Sequence, residues 1–330
     1  MKPYPLNQFK LAATCALFLL FQSCKPSGPG YWKNDKISSG KRDDFHTLNN
    51  GVLNYLKADD PKGLKSFLAR DLVDVNNDKE IELISIELKA HDYALMDEFY
   101  VVNKYNDQDT IPAVGSDINR YGLTYKYKTT EMYFAFFTPK SFDNKYMVSL
   151  SYGKFDYGWK IIGMDVQRYT INGKTGPELY ALAKEQYDKK DYQAALNNVS
   201  LANDCFKPNQ YIQYPDEVDA GTFYTKVHQQ VNEMYHYPFV LHQVATGPMI
   251  LRIYNDENDA GAYPMIYYMT HFPLKDTTAV KKENVEVRKA VSKLFPGLDE
   301  NNNYVLYSAF NAKPNGYTTV DHFDMKIKAH

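Results

Sequence analysis

Apolar residues downstream of Asp44 recur with the period of an α-helix. Phe45, Leu48, Val52 and Leu56 follow one another at three- or four-residue steps, so a helix would carry them on one side. An amphipathic helix of this kind buries its apolar side against another part of the chain. We therefore expect the folded part of the protein to begin with a helix.

A second, short helix is predicted directly after the first. Asp60 followed by Pro61 has the order of a helix N-cap and a first-turn proline, and Leu64 lies on the apolar side of the turn that follows. A third helix is predicted for residues 79–90. Helices therefore fill most of the chain between Asp44 and Tyr93.

From Tyr93 onward the apolar runs become short, aromatic and β-branched, which is typical of strands. Strands are predicted for residues 98–105, 123–128, 131–138, 146–152 and 159–171. Pro139 and Asn144 lie in one break between them, and Gly153 and Gly158 lie in another. Helices followed by an antiparallel meander predict an α+β unit, with the helices packed on one face of a curved antiparallel sheet.

The middle of the chain has the pattern of a helical hairpin. Aromatic positions at Tyr187 and Tyr192 alternate with small ones at Ala195 and Ala202, and this alternation resembles a single tetratricopeptide repeat. Lys184 stands where the repeat has a glycine, and no second copy follows at an interval of about 34 residues. One repeat cannot bury its own face, so a structural hairpin bridging two domains is favoured over a peptide-binding groove.

The last part of the chain alternates strand and helix patterns. Strands are predicted for residues 249–254, 265–272, 304–310 and 318–328, with a helix at 278–294 that Pro296 and Gly297 end. The order is ββαββ. We expect a small sheet covered on one face by a helix.

The first α+β segment resembles the nuclear transport factor 2-like superfamily, which includes the SnoaL-like proteins. The likeness covers about residues 44–172 and depends on paired helices followed by long strands that end in Gly-Trp-Lys-Ile-Ile at 158–162. It implies a cone-shaped fold that encloses a pocket. Tyr133 and Phe137 from one strand, and Asp165 near Arg168 from another, would then be the candidate pocket residues.

The first residues have the order of a secretory signal. Lys2 and Lys10 precede an apolar run of eleven residues at 11–21, shorter than the roughly 17–25 residues of a spanning helix. Residues 19–24, Leu-Leu-Phe-Gln-Ser-Cys, resemble the lipobox of bacterial lipoproteins, in the looser form of the Bacteroidetes. The resemblance implies cleavage before Cys24 and lipid on Cys24. The chain would then be anchored to the inner or outer membrane of a cell envelope, with its folded part outside the cytoplasm.

Five segments are expected along the chain. They are a signal peptide at 1–23, a lipidated tether at 24–43, an α+β domain at 44–173, a helical hairpin segment at 174–242 and a C-terminal α+β domain at 243–330. The tether is predicted because Pro, Gly and polar residues follow Cys24 with no apolar period.

The charge balance argues against a nucleic-acid-binding protein, and the cysteine content argues against a fold stabilised by internal disulfides. Two of the 38 basic residues lie in the signal, which leaves 36 against 40 acidic residues and gives no electrostatic footprint for nucleic acid. Cys15 would leave with the signal and Cys24 would carry lipid, so Cys205 has no partner for an internal disulfide. Cys205 is expected to be a buried apolar residue.

No reaction motif occurs in the sequence. HExxH, GxSxG, GxGxxG and the phosphate-binding loop are absent, and His228, His236 and His242 match no zinc-ligand spacing. Acidic stretches near Asp74, Asp256 and Asp299 lack the full ligand pattern of a calcium loop. No catalytic, cofactor-binding or metal-binding residue is therefore predicted, and no cofactor.

The combined hypothesis is a membrane-anchored envelope lipoprotein, bound to membrane lipid through Cys24, that acts as a protein-interaction or structural module with an envelope protein as partner. An enzyme is disfavoured, although catalytic residues can converge from distant positions. The alternative is a small-ligand binder or hydrolase that uses the pocket of the N-terminal domain.

Overall fold

The computed structural model describes residues 28–74, 77–258, 261–300, 302–315 and 317–329. The predicted signal peptide and Cys24 lie outside the described residues. Among the helices that are described, none combines the length and the apolar character needed to cross a membrane.

Helices form the first layer of the N-terminal unit. They are α1 (Ser39–Ala58), α2 (Pro61–Leu64), α3 (Arg70–Val73) and α4 (Asp78–Ala90). Helix α1 buries Phe45, Val52 and Leu56, as the apolar period predicts. The Asp60 side chain accepts a hydrogen bond from the Gly63 backbone N–H at 2.9 Å, which confirms the predicted N-cap of α2.

Strands form the second layer of this unit. They are β1 (Gly30–Lys33), β2 (Tyr93–Val102), β3 (Gln108–Ile111), β4 (Gly122–Lys126), β5 (Glu131–Pro139), β6 (Tyr146–Phe155), β7 (Gly158–Arg168), β8 (Thr170–Ile171) and β9 (Lys174–Thr175). One antiparallel sheet has the order β1-β2-β5-β6-β7. Strand β4 was expected in this meander but pairs instead with β3 and with β10 (Ile212–Gln213) in a small separate sheet.

The predicted tether is wrong from Gly30 onward. Gly30–Lys33 pairs with β2 along its whole length, and helix α1 begins at Ser39. The ring of Trp32 stacks on Tyr100 with centroids 5.4 Å apart, and Ile37 is almost fully buried. The glycine- and proline-rich composition obscured this strand, because only a few apolar residues attach it to the sheet.

The N-terminal sheet is buried on both faces. Tyr133, Ala135 and Phe137 of β5 pack with α1 and α4 in what we call the helix-side core. The alternate residues, Met132 and Phe134 among them, pack in the hairpin-side core. Strand β5 is therefore apolar on both sides.

The hairpin that covers the second face consists of α5 (Gly176–Asp188) and α6 (Tyr192–Cys205), and α7 (Glu217–Tyr235) packs beside α6. A capping box of Thr175 and Glu178 begins α5. Helix α6 contributes Ala202 to the hairpin-side core and Ala194 to the core of the C-terminal sheet. The hairpin therefore packs against both sheets.

The C-terminal unit confirms the predicted ββαββ order and adds a short edge strand. Its elements are β11 (Phe239–Val240), β12 (Met249–Asn258), β13 (Gly261–Met269), α8 (Thr277–Leu294), β14 (Tyr304–Phe310) and β15 (His322–Lys328). The strands lie in chain order, and β13 pairs with β14 in parallel because α8 connects them. The predicted α+β class is confirmed.

Candidate functional site

The four candidate pocket residues do not form one site. Tyr133 and Phe137 lie in the helix-side core, with 0% and 4% of their surface exposed. Asp165 accepts a hydrogen bond from the side chain of Gln167, and burial raises its pKa. Arg168 instead donates to the carboxylate of Glu257 in the C-terminal unit at 2.5 Å.

A buried acid that sequence reasoning missed lies beside Tyr133. The Tyr133 hydroxyl donates to Glu98 Oε2 at 2.8 Å and accepts from Asn49 Nδ2 at 2.8 Å. His46 Nε2 lies 3.1 Å from Glu98 Oε1. Burial, and then the negative charge of Glu98, raises the pKa of Tyr133. The signal in the sequence was an acid inside an apolar strand, at the position that pairs with Ala135.

Acid, phenol and imidazole within hydrogen-bond distance are the parts of a proton relay. The ring of Phe45 stacks on Tyr133 with centroids 3.9 Å apart, and both rings are almost entirely buried. The phenol is therefore packed against a neighbouring ring in the core. In this geometry the arrangement stabilises a buried carboxylate.

A cleft of about 230 Å³ opens where the hairpin meets α7 and β12; we call it the hairpin cleft. Its lining residues come from three separate parts of the sequence: Gln193, Leu196, Asn197 and Ser200 of α6; Tyr224, His228, Val231 and Asn232 of α7; and Tyr237, Ile253, Tyr254 and Asn255 in and before β12. None of these described lining residues is Asp, Glu, Lys or Arg. Sequence spacing alone gave no signal for this cleft.

Side-chain amides form the polar wall of the hairpin cleft. Tyr237 donates to Gln193 Oε1 at 3.0 Å, and Gln193 Nε2 donates to Asn197 Oδ1 at 3.0 Å. Asn255 Nδ2 donates to the main-chain carbonyl of Asn197 at 2.8 Å. The buried Nδ2 of Asn197 has no hydrogen-bond partner within the described chain. Hydrogen bonds between successive side-chain amides fix the conformation of the side chains that form this wall.

Two hydroxyl groups in the walls of the hairpin cleft are available to form hydrogen bonds with a bound molecule. The hydroxyls of Ser200 and Tyr224 lie in its walls, and the structure gives neither of them a hydrogen bond to another described residue. The ring of Tyr224 stacks on His228 with centroids 5.9 Å apart. The cleft therefore presents neutral donors and acceptors between aromatic rings.

The other groups singled out from the sequence have structural surroundings. His236 ends α7 in a left-handed conformation with φ of 38°. Cys205 is fully buried, and burial raises the pKa of its thiol, as expected for an apolar role. In the described ranges, no group of three or more His, Cys, Asp or Glu side chains is arranged to hold a metal ion.

The tetratricopeptide repeat family model matches residues 178–206, which cover α6 and most of α5. The central segment is therefore similar to a tetratricopeptide repeat, as its aromatic and alanine pattern indicated. No curated protein and no solved structure matches the chain. A repeat of this kind is an indication of protein–protein interaction in general.

Proposed function

We propose that this protein is a lipid-anchored component of a bacterial cell envelope that binds a partner protein through the hairpin cleft. The observation that carries the proposal is the coincidence of the tetratricopeptide-like hairpin with an open cleft beside it. Anchoring through Cys24 is supported by the signal-like and lipobox-like residues at 1–24. The partner would be another envelope protein.

The chemistry of the cleft favours an extended protein segment. A peptide backbone is neutral and carries one donor and one acceptor at each residue other than proline, which amide side chains match well. Asn255 supplies a partly exposed amide, and Ser200 and Tyr224 supply hydroxyls. The rings of Tyr224 and Tyr254 are flat surfaces against which side chains can pack. Because no lining residue is Asp, Glu, Lys or Arg, the bound segment does not need a charged side chain to complement the cleft.

The position of the hairpin makes the cleft rigid before binding. Helix α6 is held between the hairpin-side core and the core of the C-terminal sheet by buried small residues such as Ala202 and Ala194. Helix α7 is fixed on α6 through Val227 and Val231, which pack with Ala195. A preformed wall reduces the ordering cost of binding.

Affinity purification of the tagged, full-length protein from gently solubilised host membranes tests this proposal. Asn232→Arg places a long cation at the rim of the cleft, whereas Thr225→Arg places the same cation on an exposed part of α7 outside it. We expect quantitative mass spectrometry to find a reproducible partner with the parent protein and with Thr225→Arg, and a loss of at least tenfold with Asn232→Arg. A lone monomer, or equal recovery with both variants, would refute the cleft as the binding site.

A second proposal concerns the N-terminal unit as a ligand binder or hydrolase of the nuclear transport factor 2-like type. It is favoured by one observation, the buried Glu98 beside Tyr133 and His46. Titration of the protein with an environment-sensitive apolar probe tests it. Saturable binding that Tyr133→Phe weakens would support a pocket beside the phenol, and an absence of binding would remove this proposal.

A further inference from the structure

A second cleft, of about 490 Å³, lies beside the edge strand β1; we call it the β1 cleft. Asp97 is one of its lining residues and is already fully engaged. Its carboxylate accepts hydrogen bonds from Asn34 Nδ2 at 2.7 Å and from the Tyr121 hydroxyl, and it forms an ion pair with Lys33 at 2.9 Å. The Asp97 carboxylate is therefore satisfied within the protein.

Three exposed apolar residues lie in the lining of the β1 cleft or directly beside it in the sequence. Tyr31 is 45% exposed, Ile118 41% and Val114 74%. Tyr31 and Val114 both line the cleft, and Ile118 lies between its lining residues Asp117 and Asn119. We call Tyr31, Val114 and Ile118 the apolar rim. Exposed apolar residues that border one cleft are candidates for a surface that contacts a membrane or a partner.

The loop that carries Val114 and Ile118 is held in shape by its own polar groups. Asp117 Oδ1 accepts from the Asn119 backbone N–H at 2.6 Å, and Arg120 donates to the Asp117 carbonyl at 3.2 Å. Within the described chain, Arg120 forms no ion pair with a carboxylate. The Arg120 guanidinium therefore lies next to the apolar rim without a carboxylate partner in the described residues.

The distance along the chain from Cys24 limits what the rim can meet. Gly30 follows Cys24 by six positions, and an extended chain spans at most about 3.6 Å per residue, or about 20 Å here. Tyr31 is the next residue and belongs to the rim. If Cys24 carries lipid, Tyr31 cannot lie farther than about 25 Å from the bilayer surface.

We propose that the apolar rim rests in the headgroup layer of the membrane that holds the lipid anchor. The inference depends on the proposed anchoring through Cys24. Tyrosine is suited to the membrane–water boundary because one end of its side chain is apolar and the other polar. Val114 and Ile118 would meet the acyl boundary, while Arg120 would face lipid phosphates. Such a contact adds a second membrane signal to the acyl anchor and fixes the orientation of the folded part.

Fluorescence from the lipidated protein, cleaved before Cys24, in bilayers of phosphatidylethanolamine and phosphatidylglycerol tests the inference. An environment-sensitive fluorophore is attached to Val114→Cys, and to Val218→Cys on α7 as the matched control, since Val218 is also an exposed valine at 79%. Cys205 is fully buried and does not compete for the label. We expect a blue shift at position 114, with at least twofold quenching by lipids brominated on their acyl chains, and neither effect at position 218.

Three other results would overturn the inference, and each is distinct. Equal, unquenched emission at both positions, from protein whose N-terminal peptide carries lipid by mass spectrometry, would show that the anchor exists but the rim stays in water. A blue shift at position 114 without bromolipid quenching would assign the rim to a protein contact. An N-terminal peptide without lipid would refute the anchor itself.

Discussion

The two sheets are shielded from water in different ways. The N-terminal sheet lies between two layers, with helices on one face and the hairpin on the other. The C-terminal sheet has α8 on one face, and tyrosines and cations cover the other. On that face Arg252 lies 4.4 Å from the ring of Tyr254 and 4.5 Å from that of Tyr267, and Lys326 lies 3.9 Å from the ring of Tyr304. Amphipathic side chains can therefore replace a whole structural layer.

The two units also differ in how many hydrogen-bond partners they provide for a buried glutamate. Glu98 and Glu283 are 3% and 4% exposed. Both oxygens of Glu98 have neighbours, the Tyr133 hydroxyl and His46. In Glu283 one oxygen accepts from the Thr246 hydroxyl at 2.5 Å, and the other has no partner among the described residues. Equal burial therefore carries an unequal cost, because an unpaired buried oxygen keeps its desolvation penalty.

The largest expected effect on stability is a difference between substitutions of two tyrosines in the helix-side core. Tyr133 and Tyr152 are both fully buried, with ring centroids 5.6 Å apart, but the Tyr152 hydroxyl has no partner in the described structure. Tyr133→Phe removes a donor from buried Glu98 and should lower the free energy of unfolding by about 1–3 kcal/mol. Tyr152→Phe removes an unpaired hydroxyl and should be neutral or slightly stabilising. Urea unfolding of both variants checks this, and equal losses would refute the proposed role of the Glu98 hydrogen bond.

The contrast between these tyrosines shows where sequence reasoning ends. The periods of α1 and α4, the Asp60 cap, the hairpin and the ββαββ order were predictable because each depends on neighbouring residues. The position of Glu98 beside Tyr133 was not, since 35 residues separate them and the pairing of β2 with β5 brings them together.

The hairpin cleft was equally beyond prediction. Its walls come from α6, α7 and β12, and Asn255 reaches Asn197 across 58 residues. The repeat pattern identified one of these walls, α6, as a helix but carried no information on how α7 and β12 pack against it. A local pattern specifies an element, whereas a site between elements depends on the tertiary packing.

A second expected effect concerns a partnered carboxylate at the sheet surface. Burial alone would raise the pKa of Glu131, but hydrogen bonds from Lys154, Tyr100 and Lys41 outweigh it and lower the pKa to about 2. A carboxyl whose pKa is lower in the folded chain stabilises it fully above the ordinary value of 4.5, and this contribution is lost as the pH falls towards 2.

Glu131→Gln should therefore lower stability at neutral pH by about 1–2 kcal/mol, since the ion pairs are partly exposed. Its stability should also fall less steeply than that of the parent protein between about pH 4.5 and pH 2. Unfolding midpoints measured across this range check the prediction. Parallel curves for the two proteins would show that Glu131 does not carry the acid dependence.

The next prediction compares the two buried glutamates directly. Glu283→Gln replaces a buried carboxyl group that has one hydrogen-bond donor, and Glu98→Gln replaces one whose two oxygens both have neighbours. We expect Glu283→Gln to leave stability unchanged or raise it by about 1 kcal/mol, and Glu98→Gln to lower it. Chemical denaturation of the two variants under one condition checks the ordering. The reverse order would mean that hydrogen-bond satisfaction is not what separates the two sites.

The smallest expected effect tests whether cations help to cover the open face of the C-terminal sheet. Arg252→Met keeps an apolar stem over Tyr254 and Tyr267 but removes the guanidinium from both rings. We expect a loss of about 0.5–1 kcal/mol, the usual size of an exposed cation–π contact. Lys281→Met is the matched control, because Lys281 lies 5.8 Å from a single ring, that of Phe323, and should change stability by less. A loss for Arg252→Met no larger than that of the control, in thermal or urea unfolding, would mean that the apolar stem alone covers the tyrosines and that the charge adds nothing to this face.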